Sequence, residues 1–374
     1  MKLTIQLKLL PTPDQADCLQ RTLERANAAC DYLSQVAWDT HTFSKFALQK
    51  VCYQDVRTTF GLAAQMVIRA LAKVGAAYQL DTKVKRTFRP HAAFAYDDRI
   101  LSFALPDSAV SIWTLNGRQA IPFVCGARQG ALLAHRAGES DLAFVGGNWY
   151  LFATCEVDEP EPIDVEGVLG IDLGVTNLAV DSDGEIHSGS TVKHVRYRQR
   201  RLRKKLQTKG TKRSRQRLKR LAGQEARFAK DVNHCLAKRI VAKAKRTKRA
   251  IAVEDLTHIR TRVRARKPQR VTLHSWAFAQ LQAFIAYKAL GAGVPVQRVD
   301  PRNTSRTCPT CGCIDQANRK TQAAFVCTSC GFAGLADVIA AGNIARRASV
   351  NTPYVSDTSG AGSARDKPKS VRLG

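Results

Sequence analysis

Acidic side chains are scarce in this sequence. Its 374 residues hold 31 Asp and Glu against 59 Lys and Arg, for a formal charge of +28 and a pI near 10.1. A field of that sign and size makes a polyanion the expected partner and excludes most metabolic enzymes. Long apolar runs are missing too. No window approaches the roughly 18 consecutive apolar residues of a membrane span, and the opening MKLTIQLKLLPTPDQ has neither the uninterrupted apolar stretch nor the cleavage site of a secretory signal. A secreted or membrane-embedded protein is therefore not expected. Apolar residues as a class are not scarce: at 44% of the chain they suffice for two or three cored domains that carry the charge. Of the eleven cysteines, six are scattered singly (Cys18, Cys30, Cys52, Cys125, Cys155, Cys235) and five crowd between Cys308 and Cys330. Scatter points to reduced core thiols and clustering to a metal.

MKLTIQLKLL alternates as a strand, and Thr12, Pro13 and Gln15 form a helix entry with a capping box. Leu19, Leu23, Ala26, Cys30, Leu33 and Ala37 then make one apolar stripe, and Leu62 to Tyr78 a second helix, so 11–84 reads as helical. Between 85 and 165 the pattern changes to ILSFAL, VSIWTL, IPFVC and WYLFATCEV, separated by turn residues such as Asn116-Gly117. These strands with the first one predict a small barrel interrupted by the helical insert.

Beyond the acidic joint EPEPI comes GVLGIDLGVTNLAV, a buried-type strand, a turn and a second strand. Residues 191–220 carry fifteen Lys or Arg and no acid, with leucines that predict a helical hairpin broken near Thr208-Lys209-Gly210. A further helix has Phe228, Val232, Leu236 and Ile240 at spacing four. Then follow a strand (249–256), a helix (275–290), a strand (294–300), the cysteine cluster and the helical ADVIAAGNIARR. The Ser-, Gly- and Lys-rich tail, 349–374, is expected to be disordered.

Cys308-Pro-Thr-Cys311 and Cys327-Thr-Ser-Cys330 are two Cys-x-x-Cys knuckles, fifteen residues apart, a spacing that brings four thiolates around one structural Zn²⁺. Cys313 is spare. Three carboxylates stand where each is costly or conspicuous: Asp172 inside an apolar strand, Glu254 at the end of AIAVE, and Asp337 at the start of the last helix. Singly each has a plain reading as turn former, loop start or N-cap. Together they form a self-repelling cluster that two Mg²⁺ about 3.5–4 Å apart would relieve while activating in-line attack on phosphate.

These motifs carry a resemblance. Gly170-Ile-Asp172-Leu-Gly174, Val253-Glu254-Asp255-Leu256, RFAKDVNHCLAKRIV, and VDPRNTSRTCPTCG followed by CTSCG and Ala336-Asp337 resemble the transposon-encoded TnpB family, relatives of type V CRISPR effectors, across the C-terminal half. The resemblance implies a multidomain α+β protein. Its parts would be a wedge β-barrel (1–10 and 85–165), an inserted helical recognition domain (11–84), and an RNase-H-like, RuvC-type α/β nuclease (166–303 and 333–348). A zinc-ribbon, target-nucleic-acid-binding insert would occupy 304–332. Asp172, Glu254 and Asp337 become the catalytic Mg²⁺ ligands, and Cys308, Cys311, Cys327 and Cys330 the zinc ligands.

The implied partners are a guide RNA from the transposon end and double-stranded target DNA cut beside a short element-specific motif, in a prokaryotic cytoplasm near the nucleoid, with a monomer favoured. Within the helical insert, Gln65 would reach a base edge, with Arg69 and Lys73 on phosphates. Arg200, Arg201, Lys204, Lys205, Lys212 and Arg213 of the basic hairpin would hold a duplex by its backbone. Solvated surface is the plain alternative for all of these, and a hydrogen-bonded helix residue the plain reading of His234.

One departure stands out: where the family has Asp-x-Asn-Ala-Ala-x-Asn, this chain has Ile339 for the first Asn, which predicts a lost polar contact beside Asp337. Two rival functions follow. One is a guide-RNA-dependent DNA-binding regulator without cleavage; the other is a guide-free RuvC-like nuclease that recognises branched DNA. A plain zinc-ribbon protein leaves the buried Asp172 unexplained.

Overall fold

The computed structural model describes residues 1–256, 278–321 and 323–350, which fall into two compact units divided after Asp158. Of the expected disordered tail, 351–374 lies outside the described residues, while Ser349 and Val350 complete the last helix. Among the described residues no helix is long and apolar enough to cross a membrane.

In the first unit, β1 (Lys2–Leu9) is followed by three helices, α1 (Pro13–Asp39), α2 (Lys45–Phe60) and α3 (Ala64–Leu80). The Thr12 side chain accepts from the Gln15 N–H and the Gln15 side chain from the Thr12 N–H, so the capping box forms as its residues dictate. Helix α2 ends at Gly61, whose φ of 59° is open to glycine at little cost. Its buried Leu48, Cys52 and Val56 at spacing four place it on the same core.

Six strands follow with a short helix among them: β2 (Phe94–Tyr96), β3 (Leu101–Ala104), β4 (Ala109–Thr114), β5 (Gly117–Val124), α4 (Ala127–Leu133), β6 (Arg136–Val145) and β7 (Asn148–Glu156). They make a seven-stranded sheet ordered β2-β6-β7-β1-β5-β4-β3, nearly closed, with its terminal strands joined in the chain by residues 97–100. Asn116 and Gly117 turn β4 into β5 with Gly117 at φ 86°.

The second unit is built on a five-stranded sheet with the order β10-β9-β8-β11-β12. Its strands are β8 (Gly167–Asp172), β9 (Asn177–Asp181), β10 (Ile186–Ser188), β11 (Arg249–Glu254) and β12 (Val296–Val299). Strands β8, β11 and β12 run parallel, Val253 in register with Ile171, and β9 and β10 continue as an antiparallel edge. Of the parallel strands, β8 and β11 carry the apolar runs Val168–Ile171 and Ala250–Val253 of a sheet covered on both faces, whereas the edge strand β12 reads Val-Gln-Arg-Val.

Helices α5 (Ser190–Lys209) and α6 (Lys212–Arg246) separate at Gly210, which is left-handed at φ 62°. The break falls where the sequence places it. Helix α6, however, continues unbroken through the segment expected to separate the hairpin from the next helix, because LAGQEARFAK consists of good helix formers apart from Gly223. Leu236, Ile240, Leu169, Ile171, Ile251 and Val253 join Leu281 and Ile285 of α7 (Phe278–Leu290) in one core, each side chain contributing about 1.5–3 kcal/mol.

The β9–β10 hairpin is pinned by charge. Lys243 meets Asp181, Asp183 and Glu185, and Arg249 grips both oxygens of Asp183 at 2.7 and 2.6 Å, holding that carboxyl well below its usual range.

A 3-10 turn (Gln316–Asn318) and the hairpin β13 (Ala324–Val326) and β14 (Ala333–Leu335) lead directly into α8 (Ala336–Val350). Helix α8 lies against β8 so closely that only glycine fits at 170, where a Cβ would stand 2.0 Å from the Ala341 carbonyl oxygen.

Candidate active site and cysteine cluster

Strands β8 and β11 are neighbours and parallel, so Asp172 and Glu254, each one residue past the last registered pair, emerge together at their carboxyl ends. Asp337, second residue of α8, is brought to the same place by that helix's packing on β8. Loss of water and the charges of Glu254 and Asp337 push the Asp172 carboxyl up to about 7. Desolvation also raises Glu254, against a hydrogen bond from the buried Thr304 hydroxyl that steadies its charged form.

Asp337 is held by two donors: Asn177 Nδ2 reaches Oδ2 at 2.9 Å, and Arg319 Nη2 reaches Oδ1 at 2.9 Å. Asp172 feels the charges of Glu254 and Asp337, yet the three acids do not bring even one oxygen each within 4.8 Å of one another, a criterion that the four knuckle cysteines alone satisfy among the described residues. An all-oxygen, mutually repelling donor set suits a hard divalent cation. Asp172, Glu254 and Asp337 are the residues that would hold it.

Arg319, Thr304 and Asn177 escape sequence reasoning. Arg319 and Thr304 flank the knuckles as ordinary polar residues, and no spacing connects either to an acid. Asn177 opens β9 directly after the GIDLG turn, a position from which hydrogen bonding to the site was open to inference.

Sγ of Cys308 lies 3.6 Å from Cys330 and Sγ of Cys311 3.5 Å from Cys327. A tetrahedral Zn²⁺ with Zn–S near 2.3 Å needs edges of about 3.8 Å, so the cage fits that ion. The Cys330 N–H points at Cys327 Sγ, and backbone donors bring the Cys327 thiol down to about 6. Cys313 stays outside the cage, its carbonyl accepting from the Cys308 N–H at 2.9 Å.

Ile339 is buried with Cys308, Cys327, Phe325 and Ala336 in the apolar core of the cysteine module and gives Asp337 no polar contact, the oxygens of that acid being met by Asn177 and Arg319. Asn343, one turn further along α8, donates to the carbonyls of Thr304 and Thr307, both at 2.8 Å.

The proposed nucleic-acid contacts divide. Arg200, Arg201, Lys204, Lys205, Lys212 and Arg213 are exposed, and none pairs with an acid among the described residues. Arg201 lies 6.0 Å from the exposed Tyr197 ring. In the first unit the cations are already engaged. Lys73 donates to Asn27 Oδ1 at 2.6 Å and the Ala93 carbonyl at 2.8 Å beneath Phe88 and Phe94, and Arg69 pairs with Glu139. Both side chains are engaged within the first unit, and the expected contact with phosphate would have to compete with these partners. Gln65 is held between Asp97 and Arg99. His234 stacks on Phe284 at 3.8 Å and meets the Tyr287 hydroxyl at 3.3 Å, a packing role.

Two family models match the second unit and the strand before it: "Probable transposase" over 152–260 and "Cas12f1-like, TNB domain" over 278–344. A TnpB-like protein of Methanocaldococcus jannaschii is 31% identical over 199 residues, covering 50% of this chain and 70% of its own. The CRISPR-associated endodeoxyribonuclease Cas12f1 of Sulfoacidibacillus thermotolerans is 42% identical over 121 residues, 32% of this chain and 27% of that one. Cas12f2 of a Micrarchaeota archaeon is 32% identical over 227 residues, 55% of this chain and 41% of that one. The chain thus spans less than half of these Cas12f relatives. Among solved structures, a Cas12f1–sgRNA–target DNA complex shares the fold with TM-score 0.60 at 15% identity, over 90% of this chain and 83% of the other.

Proposed function

The chain belongs to the TnpB family, relatives of the type V effectors, and from that premise we propose that it is an RNA-guided DNA endonuclease encoded by a transposable element. Its guide is an RNA from the element's end. Its substrate is complementary double-stranded DNA beside a short element-specific motif, and the exposed cations of α5 and α6 hold nucleic acid by its backbone. The strand order of the second unit supports an RNase-H-like nuclease, with residues 304–332 as a target-nucleic-acid-binding zinc ribbon and the first unit as wedge and recognition domains.

The observation that carries the reading is the approach of three acids from distant parts of the chain, where burial first and the charges of Glu254 and Asp337 next lift Asp172 to about 7. Divalent cations, taken to be two Mg²⁺, would there supply Lewis-acid stabilisation of a phosphodiester under attack. The chain's own residues prepare that place. Thr304 orients Glu254, Asn177 and Arg319 orient Asp337, and the Asp172 carboxyl gives up a proton when a cation takes its charge.

The test is plasmid cleavage by the full chain with its copurified RNA, against Asp172→Ala. Wild-type protein that nicks or cuts a matched plasmid, with a silent variant, supports the nuclease. Guide-dependent binding with equal absence of products from both proteins refutes it in favour of a regulator, and cleavage that needs no RNA refutes the guided reading.

A further inference from the structure

Ile339 follows Asp337 by two residues in the first turn of α8, so at 3.6 residues per turn the two side chains leave the helix about 200° apart. Asp337 faces Asn177 and Arg319, whereas Ile339, 7% exposed, faces Cys308, Cys327 and Phe325. The backbone of this turn is tied to the same module, because the Ala336 N–H donates to the Ala323 carbonyl at 2.9 Å and β14 enters the helix without a loop.

We propose that Ile339 is a positioning residue: wedged in the cysteine module, it makes the filling of the Cys308, Cys311, Cys327 and Cys330 cage set the stance of the Asp337 carboxylate. This rests on the reading of Asp172, Glu254 and Asp337 as a cation site. Among the described residues the module's core is Cys308, Phe325, Cys327, Ala336 and Ile339, with Cys313 at its edge. A core that small needs a metal to hold its shape. With the cage filled, the surface beneath Ile339 is rigid and the first turn of α8 is clamped between module and sheet. With the cage empty, that surface yields, and Asp337 keeps the bond from Asn177 and one from Arg319 whose own anchorage has loosened.

The experiment measures Mn²⁺ binding by electron paramagnetic resonance and zinc content by mass spectrometry, on the full chain, with Asp172→Ala defining the signal of the acid cluster. Ile339→Ala is expected to keep one zinc per chain and weaken Mn²⁺ about tenfold, within the range of lost ligand-orienting contacts. Ile339→Leu, which conserves volume, restores binding. Cys311→Ser, which opens the cage and also loosens the anchorage of Arg319 on Asp337, weakens Mn²⁺ at least as much, and adding Ile339→Ala to it costs nothing more, since the support of Ile339 is already gone.

Wild-type Mn²⁺ affinity in zinc-loaded Ile339→Ala overturns the proposal, as do independent, additive losses in the double variant. Should Ile339→Ala fail to fold, Ile339→Val carries the same cycle with the same reading of additivity. Wild-type protein without an Asp172-dependent Mn²⁺ signal overturns the cation site itself, and the coupling with it.

Discussion

Gly170 and Ala341 touch backbone to backbone: a Cβ on Gly170 would stand 2.0 Å from the Ala341 carbonyl oxygen and 2.6 Å from the Ala345 nitrogen. The contact seats α8 two residues before Asp172 on β8. Gly170→Ala must push the helix away, at a cost of about 3 kcal/mol from overpacking. Gly342, on the same helix, has nothing within 4 Å of its would-be Cβ, and Gly342→Ala should stabilise by about 0.5–1 kcal/mol. Urea midpoints of the two variants are expected to move in opposite directions at unchanged slope.

Asp172 predicts the pH dependence. Its folded carboxyl is raised to about 7 from 3.8, so between those values the native chain holds a proton that the unfolded chain has released. Stability without divalent cations therefore falls as pH rises through this window and stays reduced above it. Asp172→Asn removes that loss and is expected to stabilise the cation-free protein at pH 8 by on the order of 2 kcal/mol. Added Mg²⁺ should raise the melting temperature of the wild type at pH 8 and leave the variant unmoved.

Arg319 competes for the charge of Asp337 and lowers Asp172. In Arg319→Ala the acid limb of Mn²⁺ binding should move to higher pH, because Asp172 holds its proton longer. Above that limb, binding should weaken as well, since Asp337 loses a donor that orients it. A titration series from pH 6 to 9 checks both.

Zinc retention follows Cys327. Backbone donors hold the Cys327 thiol down to about 6 while Cys330 is pushed up to about 12, so zinc must displace protons on binding and its affinity should fall steadily as the pH is lowered. Cys327→Ser is expected to bring zinc from one per chain towards none at pH 7.5, as metal analysis after dialysis would show.

Lys204 and Lys205 are exposed on α5 with no acid partner among the described residues. If they neutralise phosphates, replacing both with Ala lowers the slope of log affinity against log salt by about 2 without changing sequence preference. Lys73→Ala, by contrast, should lower stability and leave the salt slope alone, since its ammonium is spent on Asn27 and the Ala93 carbonyl.

What the sequence made legible was whatever rests on local patterns. The Thr12 and Gln15 cap, the Gly210 break, the apolar parallel strands and the cysteine knuckles each depend on residues near one another in the chain. Tertiary assignments were legible only in part. The second-unit acids were visible because a carboxylate in an apolar strand is costly wherever the strand goes. Arg319 and Thr304 carry no such penalty, so nothing marked them until folding brought them to Asp337 and Glu254. Lys73 and Arg69 show the reverse case: a cation on a helix looks free in sequence, and only the packed neighbours reveal that it already has partners.

The chain order of the acid cluster bears on how the protein is made. Asp172 and Glu254 precede the cysteine module, and Asp337 follows it in the last described helix. A nascent polypeptide that has emerged only as far as residue 335 holds both strand acids and all four thiols, yet lacks the carboxylate that completes the cluster. On the proposed reading, translation itself delays the nuclease: the ribosome must finish the metal-binding insert before the chain acquires the means to damage the DNA around it.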